Sequence, residues 1–224
     1  MNRTKNSQPR FAGAFSLVEI LVVSAIVAIL AALAVPAISG ALTRADRTKF
    51  VSNLRSVGMA MNLYAADHQS RFVGPLWPGQ VVEYDRDRAG RLVRELAPYL
   101  EIADRSPAYV VDRFLPGAFR KALPNVAPKD IRVWVMNMAV PTGSGATANP
   151  WGSLVAGQES DSLRRSALPA AAENVWMMSE AYQTHPRVAG AAWRMNTVPR
   201  PPFGPLPLGL FFDGRVETFD PSTE

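Results

Sequence analysis

The side chains able to do chemistry are few and scattered. Histidine occurs only at His68 and His185, and cysteine is absent. Thiolate nucleophiles, thiolate metal sites and disulfides are thereby excluded. No GxxxxGK[ST] phosphate loop, HExxH zinc pair or GxSxG nucleophile elbow occurs. His68 falls at the expected end of a long helix, where an imidazole meets free carbonyls. His185 precedes Pro186 in an expected loop, so surface or capping roles are expected for both. Asp85-Arg86-Asp87-Arg88 reads as a solvated mixed-charge turn. Glu217, Asp220 and Glu224 offer oxygen ligands near the C-terminus, but at no diagnostic spacing. One ionisable group stands apart: Glu19, just inside the apolar stretch GAFSLVEILVVSAIVAILAALAVP at 13–36.

The element that holds Glu19 is long enough to cross a bilayer. Ile20 to Ile38 are 19 residues without a charge. At about 1.5 Å per residue they span roughly 28 Å, close to the ~30 Å hydrocarbon core. Of the net charge of +5, Arg3, Lys5 and Arg10 precede this run, leaving +2 for the remainder. The excess therefore sits in a leader rather than in a folded basic patch, which argues against nucleic acid as a partner. Positive flanks also keep that end of a span cytoplasmic. A secretory signal peptide has a similar start, with Ser39-Gly40-Ala41 as a small-residue cleavage site. Such a peptide gains nothing from Glu19. A carboxylate inside a span is unfavourable unless it pairs, so it marks a function.

Ala14-Phe15-Ser16-Leu17-Val18-Glu19 resembles the processing site of type IV prepilins and type II secretion pseudopilins. The resemblance implies cleavage by a prepilin peptidase between Ala14 and Phe15, N-methylation of Phe15, and an assembly role for Glu19. In that family Glu19 of one subunit would neutralise the Phe15 amine of a neighbour and set the axial register. The chain departs from the pattern at Ala14, where glycine is usual. Pro36 stands where pilins commonly carry a helix-kinking proline; it removes one helical hydrogen bond and crowds the preceding turn.

Beyond the span, Phe50, Leu54, Val57, Met61 and Tyr64 recur at spacings of 4, 3, 4 and 3, one face of a helix. A single helix is expected from about 16 to 67, half membrane and half amphipathic, with its stripe under a sheet. Asn53 to Gly58 and Asn62 to Asp67 also resemble this second half in bacterial prepilin-like proteins. Seventeen of the 19 prolines follow Ser70, so long helices are not expected there. A short helix is expected near 87–96, strands at 131–140 and 174–179, and loops at 141–153 and 195–207.

Near the C-terminus, 208–212 and 215–219 flank Asp213-Gly214, a dipeptide suited to a two-residue type I′ hairpin turn. Prepilin-like proteins often show His, nine residues, then Asp-Gly at this place. Here Phe203 occupies the histidine position and Arg215 follows the dipeptide, so Asp213 and Gly214 are assigned to turn geometry. Calcium, which some secretion pseudopilins bind, is carried as a minor candidate; no other cofactor is expected.

These features lead to an α+β expectation: a pilin-like chain whose long N-terminal helix packs on a small antiparallel sheet. Residues 1–14 would be a cleaved leader, 15–41 the transmembrane and assembly half of the helix, and 42–224 a periplasmic globular domain. The expected function is a non-enzymatic filament subunit of a type IV pilus or a type II secretion pseudopilus. Its partners would be the prepilin peptidase, other pilin or pseudopilin subunits and the bacterial inner membrane. The alternative is a secreted or membrane-anchored periplasmic binding protein that forms no filament.

Overall fold

The computed structural model describes residues 16–142 and 145–222, without the side chains at 36 and 37. The leader, Ala14, Phe15, Glu224 and the side chain of Pro36 therefore lie outside the described residues.

Helix α1 spans Leu17–Asp67. The chain divides into two compact units, the first ending at Leu42 and the second running from Thr43 to Glu224. In the second unit the 3–4 stripe does what its spacing predicts. Phe50, Leu54 and Val57 are fully buried and Met61 nearly so, while Tyr64 is half-buried. Each fully buried side chain of this size stabilises the fold by about 1.5–3 kcal/mol. The helix stops where Gln69 and Ser70 adopt left-handed φ values of 54° and 60°. Ser70 N then donates to Ala65 O at 2.8 Å, satisfying a carbonyl that the helix end leaves open.

The remaining elements are short, as the proline density requires. In order they are β1 (Gly79–Val81), β2 (Glu83–Tyr84), α2 (Leu92–Glu95), β3 (Tyr109–Val110) and α3 (Gly117–Ala122). They continue with β4 (Arg132–Met136), β5 (Val140–Pro141), β6 (Thr147–Ala148), β7 (Trp176–Glu180), β8 (Leu208–Phe211) and β9 (Val216–Thr218). Five strands form one antiparallel sheet in the order β1-β4-β7-β8-β9. The chain is α+β. The expected loop at 141–153 contains part of a small hairpin, β5 with β6, and the expected helix at 87–96 shrinks to α2.

The sheet has two apolar faces. Trp134, Met136, Met178 and Leu210 share a core with the α1 stripe. A Cβ on Gly58 would lie 3.2 Å from Leu210 Cδ1, so the missing side chain lets α1 approach β8 closely. Val135, Trp176 and Phe211 face the other way and pack with Val188 and Phe219. A register shift between Trp176 and Met178 moves Trp176 to that second face.

Candidate functional site

Among the described residues the first unit carries one charged group, Glu19. From Leu17 to Val35 every side chain is exposed, Leu17 at 79% and Leu33 at 70%. This is the one helix among the described residues that is long and apolar enough to cross a membrane. Glu19 lies in its first turn, where free N–H groups favour negative charge. Its Oε2 accepts from Ser16 N at 3.0 Å. The serines of this surface turn inward on the helix: Ser24 Oγ donates to Leu21 O (2.9 Å) and Ser39 Oγ to Val35 O (3.0 Å). Their polarity is thus absorbed locally, leaving Glu19 as the only charged residue from Leu17 to Ala41. A shallow groove beside it is walled by Ile20, Val23 and Val27.

The C-terminal turn differs from the two-residue type expected. Gly214 N donates to Phe211 O at 2.9 Å, and Phe211 N to Arg215 O at 3.0 Å. Gly214 has φ +89°, whereas Asp213 is not among the positive-φ residues. This is a three-residue loop ending in a left-handed glycine, not a type I′ turn, which needs two positive φ values. Asp213 instead braces the loop through its side chain: Oδ1 accepts from Arg215 N (2.9 Å) and Oδ2 pairs with Arg215 Nη1 (2.5 Å).

Phe203 fills the position where the related pattern has histidine. Its ring centre lies 5.4 Å from that of Phe50 and 6.5 Å from that of Phe119, so it closes the core over α1 rather than offering a ligand. Arg215 is held by Asp213 and Glu217 and lies over the Phe211 ring at 4.1 Å. Asp220 accepts from Ser222 N (2.9 Å) and Ser222 Oγ (2.6 Å). Among the described residues no three His, Asp or Glu side chains gather as a metal site would require.

His68 caps α1 as expected: its Nδ1–H donates to Tyr64 O at 2.8 Å, and the rings stack at 3.8 Å. His185 corrects the surface reading, because it is fully buried. Its Nδ1 accepts from Arg187 N (3.1 Å), so the neutral ring carries its proton on Nε2 and donates to Ser179 Oγ (3.0 Å). Ser179 Oγ donates in turn to Glu180 O at 3.2 Å. The proton on Nε2 points at the serine, which is the wrong way round for a base that would activate it. Burial, then Arg187, pushes the His185 pKa down to about 4.

On the opposite face of β7, Glu180 is fully buried. Its Oε2 accepts from Leu208 N at 3.0 Å, and its Oε1 has no partner among the described residues. Burial pushes its pKa up to about 8, against smaller opposing effects from the Leu208 hydrogen bond and the charge of Arg47.

No family model, curated protein or solved structure matches this chain. Its function therefore has to be argued from its own residues. Glu19 announces itself in the sequence by its apolar neighbours. Glu180 does not: it stands at the end of a strand run, where polar residues normally face water. Strand alternation, which puts Met178 and Glu180 on one face, is the sequence signal that could have found it.

Proposed function

We propose that this chain is a pilin-like subunit, cut between Ala14 and Phe15 by a prepilin peptidase and assembled into a filament through the first part of α1. The observation that carries the reading is the pairing of Glu19 with an apolar helix surface that the chain's own fold leaves bare. Such a surface needs lipid or neighbouring helices, and a carboxylate set in it needs a cation. Processing would supply that cation as the α-amine of Phe15, four residues before Glu19. In a filament the Phe15 amine of one subunit would meet Glu19 of the next. A buried ion pair of this kind adds little net stability but fixes register well.

In this reading the subunit spans the bacterial inner membrane once, with its basic end cytoplasmic and residues 42–224 in the periplasm. It would serve a type IV pilus or a type II secretion pseudopilus. The test is the mature N-terminus, read by intact mass and terminal peptide mapping of protein from its native membrane. A chain beginning at methylated Phe15 is the expected result. A chain beginning near Leu42, or one retaining Met1, would overturn the proposal.

A further inference from the structure

One built feature is used neither by the fold nor by the assembly reading. β1 is an edge strand of the sheet, and against it lies a cavity of about 310 Å³. Two indoles wall it, Trp77 and Trp193, and two glycines admit them. A Cβ on Gly79 would sit 2.7 Å from the Trp193 ring, so the strand can carry that indole only without a side chain. Gly90, at φ +79°, would likewise bring a Cβ within 2.7 Å of Trp77 Cδ1. The buried side chain of Gln80 pins the walls. Its Nε2 donates to Trp77 O (2.5 Å) and Gly90 O (3.1 Å), and its Oε1 accepts from Leu92 N (2.7 Å). The cavity is therefore preformed.

Its charge is one-sided. Arg88, Arg91 and Arg132 line it, and no lining residue carries a carboxylate. Two of the three are already compensated from outside the cavity: Arg91 by Glu83, and Arg88 by Asp85 at 3.3 Å. Arg132 is not. Its Nη1 donates to Gly79 O (2.5 Å), its guanidinium centre lies 5.6 Å from the Trp193 ring, and it forms no ion pair among the described residues. Its Nε is buried without a partner. Asp130 acts on it only from beyond ion-pair distance, while burial and the nearby Arg91 both disfavour its charge. Nε is closed to solvent and Nη1 is engaged with Gly79 O, so an acceptor in the cavity would meet the Nη edge and offset part of the cost of burying the charge.

We propose that this cavity binds a carboxylate: the acid group lies against the Arg132 fork, and the apolar body of the ligand lies between Trp77 and Trp193. One uncompensated guanidinium suits a monoanion better than a doubly charged phosphate. The volume lies at the small end of ligand pockets, roughly 300–1,000 Å³, which limits the occupant to a compact group. Two sources offer that chemistry, a free aromatic or aliphatic acid and a glutamate or aspartate side chain of a partner protein.

The full chain in a neutral detergent is titrated with hippurate, with uncharged hippuramide, and with a blocked Gly-Glu-Phe peptide, following tryptophan fluorescence. Saturable hippurate binding with a Kd of about 1 mM or tighter, and none by hippuramide, is expected. Arg132→Gln should weaken it at least about tenfold, and Arg132→Lys, which keeps the charge but lacks the fork, by less. Gly79→Val should abolish it by displacing Trp193. Tighter binding of the peptide than of hippurate identifies a protein partner as the source, and the reverse identifies a free acid. Equal binding of hippurate and hippuramide overturns the proposal, as does saturation by neither acid at about 10 mM. Unchanged affinity in Arg132→Gln also overturns it. None of these outcomes depends on how the N-terminus is processed.

Discussion

His185 Nε2 donates to Ser179 Oγ across 3.0 Å, while the next residue of the same strand, Glu180, buries its carboxyl on the opposite face. Two titratable groups therefore occupy the two sides of β7, and burial shifts them in opposite directions, to about 4 and about 8. Their linkage to folding can be worked out from the ordinary values of 6.5 and 4.5. Between pH 6.5 and 8 the folded chain holds a proton on Glu180 that the unfolded chain has lost, so stability falls as pH rises. Between 4.5 and 6.5 the folded chain holds the Glu180 proton and the unfolded chain the His185 proton, and the two effects cancel. Between 4.5 and about 4 both states hold the Glu180 proton but only the unfolded chain protonates His185, so stability falls as pH drops.

The expected profile is a plateau from about pH 4.5 to 6.5 with a descent on the alkaline side of about 1.4 kcal/mol per pH unit. Glu180→Gln keeps an acceptor for Leu208 N and removes the ionisation. It should abolish the alkaline descent and raise Tm at pH 8 relative to the parent. Thermal melts from pH 4 to 9 decide this; an unchanged alkaline limb in Glu180→Gln would show that Glu180 is not its source.

The hairpin at 211–215 separates two turn geometries by mutation. In a type I′ turn Asp213 would have positive φ, and Asp213→Gly would stabilise. In the observed turn only Gly214 has positive φ, and Asp213 braces Arg215. Both Asp213→Gly and Gly214→Ala should therefore destabilise, each by about 1 kcal/mol. No atom outside its chain neighbours lies within 4 Å of a Cβ at Gly214, so its cost is conformational rather than steric. Chemical denaturation at pH 6, inside the plateau, measures both.

Phe203 tests whether the position is structural. Its ring meets Phe50 and Phe119 but is only half-buried. Phe203→Ala should cost about 2 kcal/mol, less than the ~3–5 kcal/mol of a fully buried phenylalanine. Phe203→His should lose stability without acquiring metal-dependent stabilisation, because no acidic cluster stands by among the described residues. Melts with and without zinc or calcium read both effects, and a Tm rise with metal would refute the structural assignment.

What was legible in the sequence was what repeats. The stripe from Phe50 to Tyr64 covers four turns, and its period survives because α1 presents one face to one sheet. Strands are legible at 131–140 and 174–179, the first from the alternation of Ile131, Val133 and Val135, and the structure has them at Arg132–Met136 and Trp176–Glu180. The shared face does not hold, because Val135 packs in the second core and Ile131 and Val133 in the first. A single register shift beside Trp176 sends it to the side of Ser179 and away from Met178. The buried place of His185 was illegible for a related reason: His-Pro reads as a loop, and only the tertiary fold lays Trp176 and Tyr182 against its ring, at 5.3 and 5.2 Å. The Arg132 cavity brings together residues from 77 to 193, a separation no local pattern spans. Glu19 needed no tertiary information, because its neighbours in the chain are also its surroundings.

Glu19 supports the last prediction, which separates charge from local hydrogen bonding. The carboxylate accepts from Ser16 N within its own turn, so a helix-start role alone would survive in Glu19→Gln, whose amide oxygen can accept the same bond. Pairing with a neighbour's α-amine would not, since the amide carries no charge. Under the assembly reading, Glu19→Gln and Glu19→Ala should both be cleaved after Ala14 yet both fail to form filaments. Glu19→Asp, with the charge drawn back by one methylene, should assemble poorly. Intact mass reports cleavage, and cysteine cross-linking between helices, in a chain that has no cysteine of its own, reports assembly. Filaments from Glu19→Gln at the parent's yield would leave Glu19 as a capping residue of α1 and remove the cation from the model of assembly.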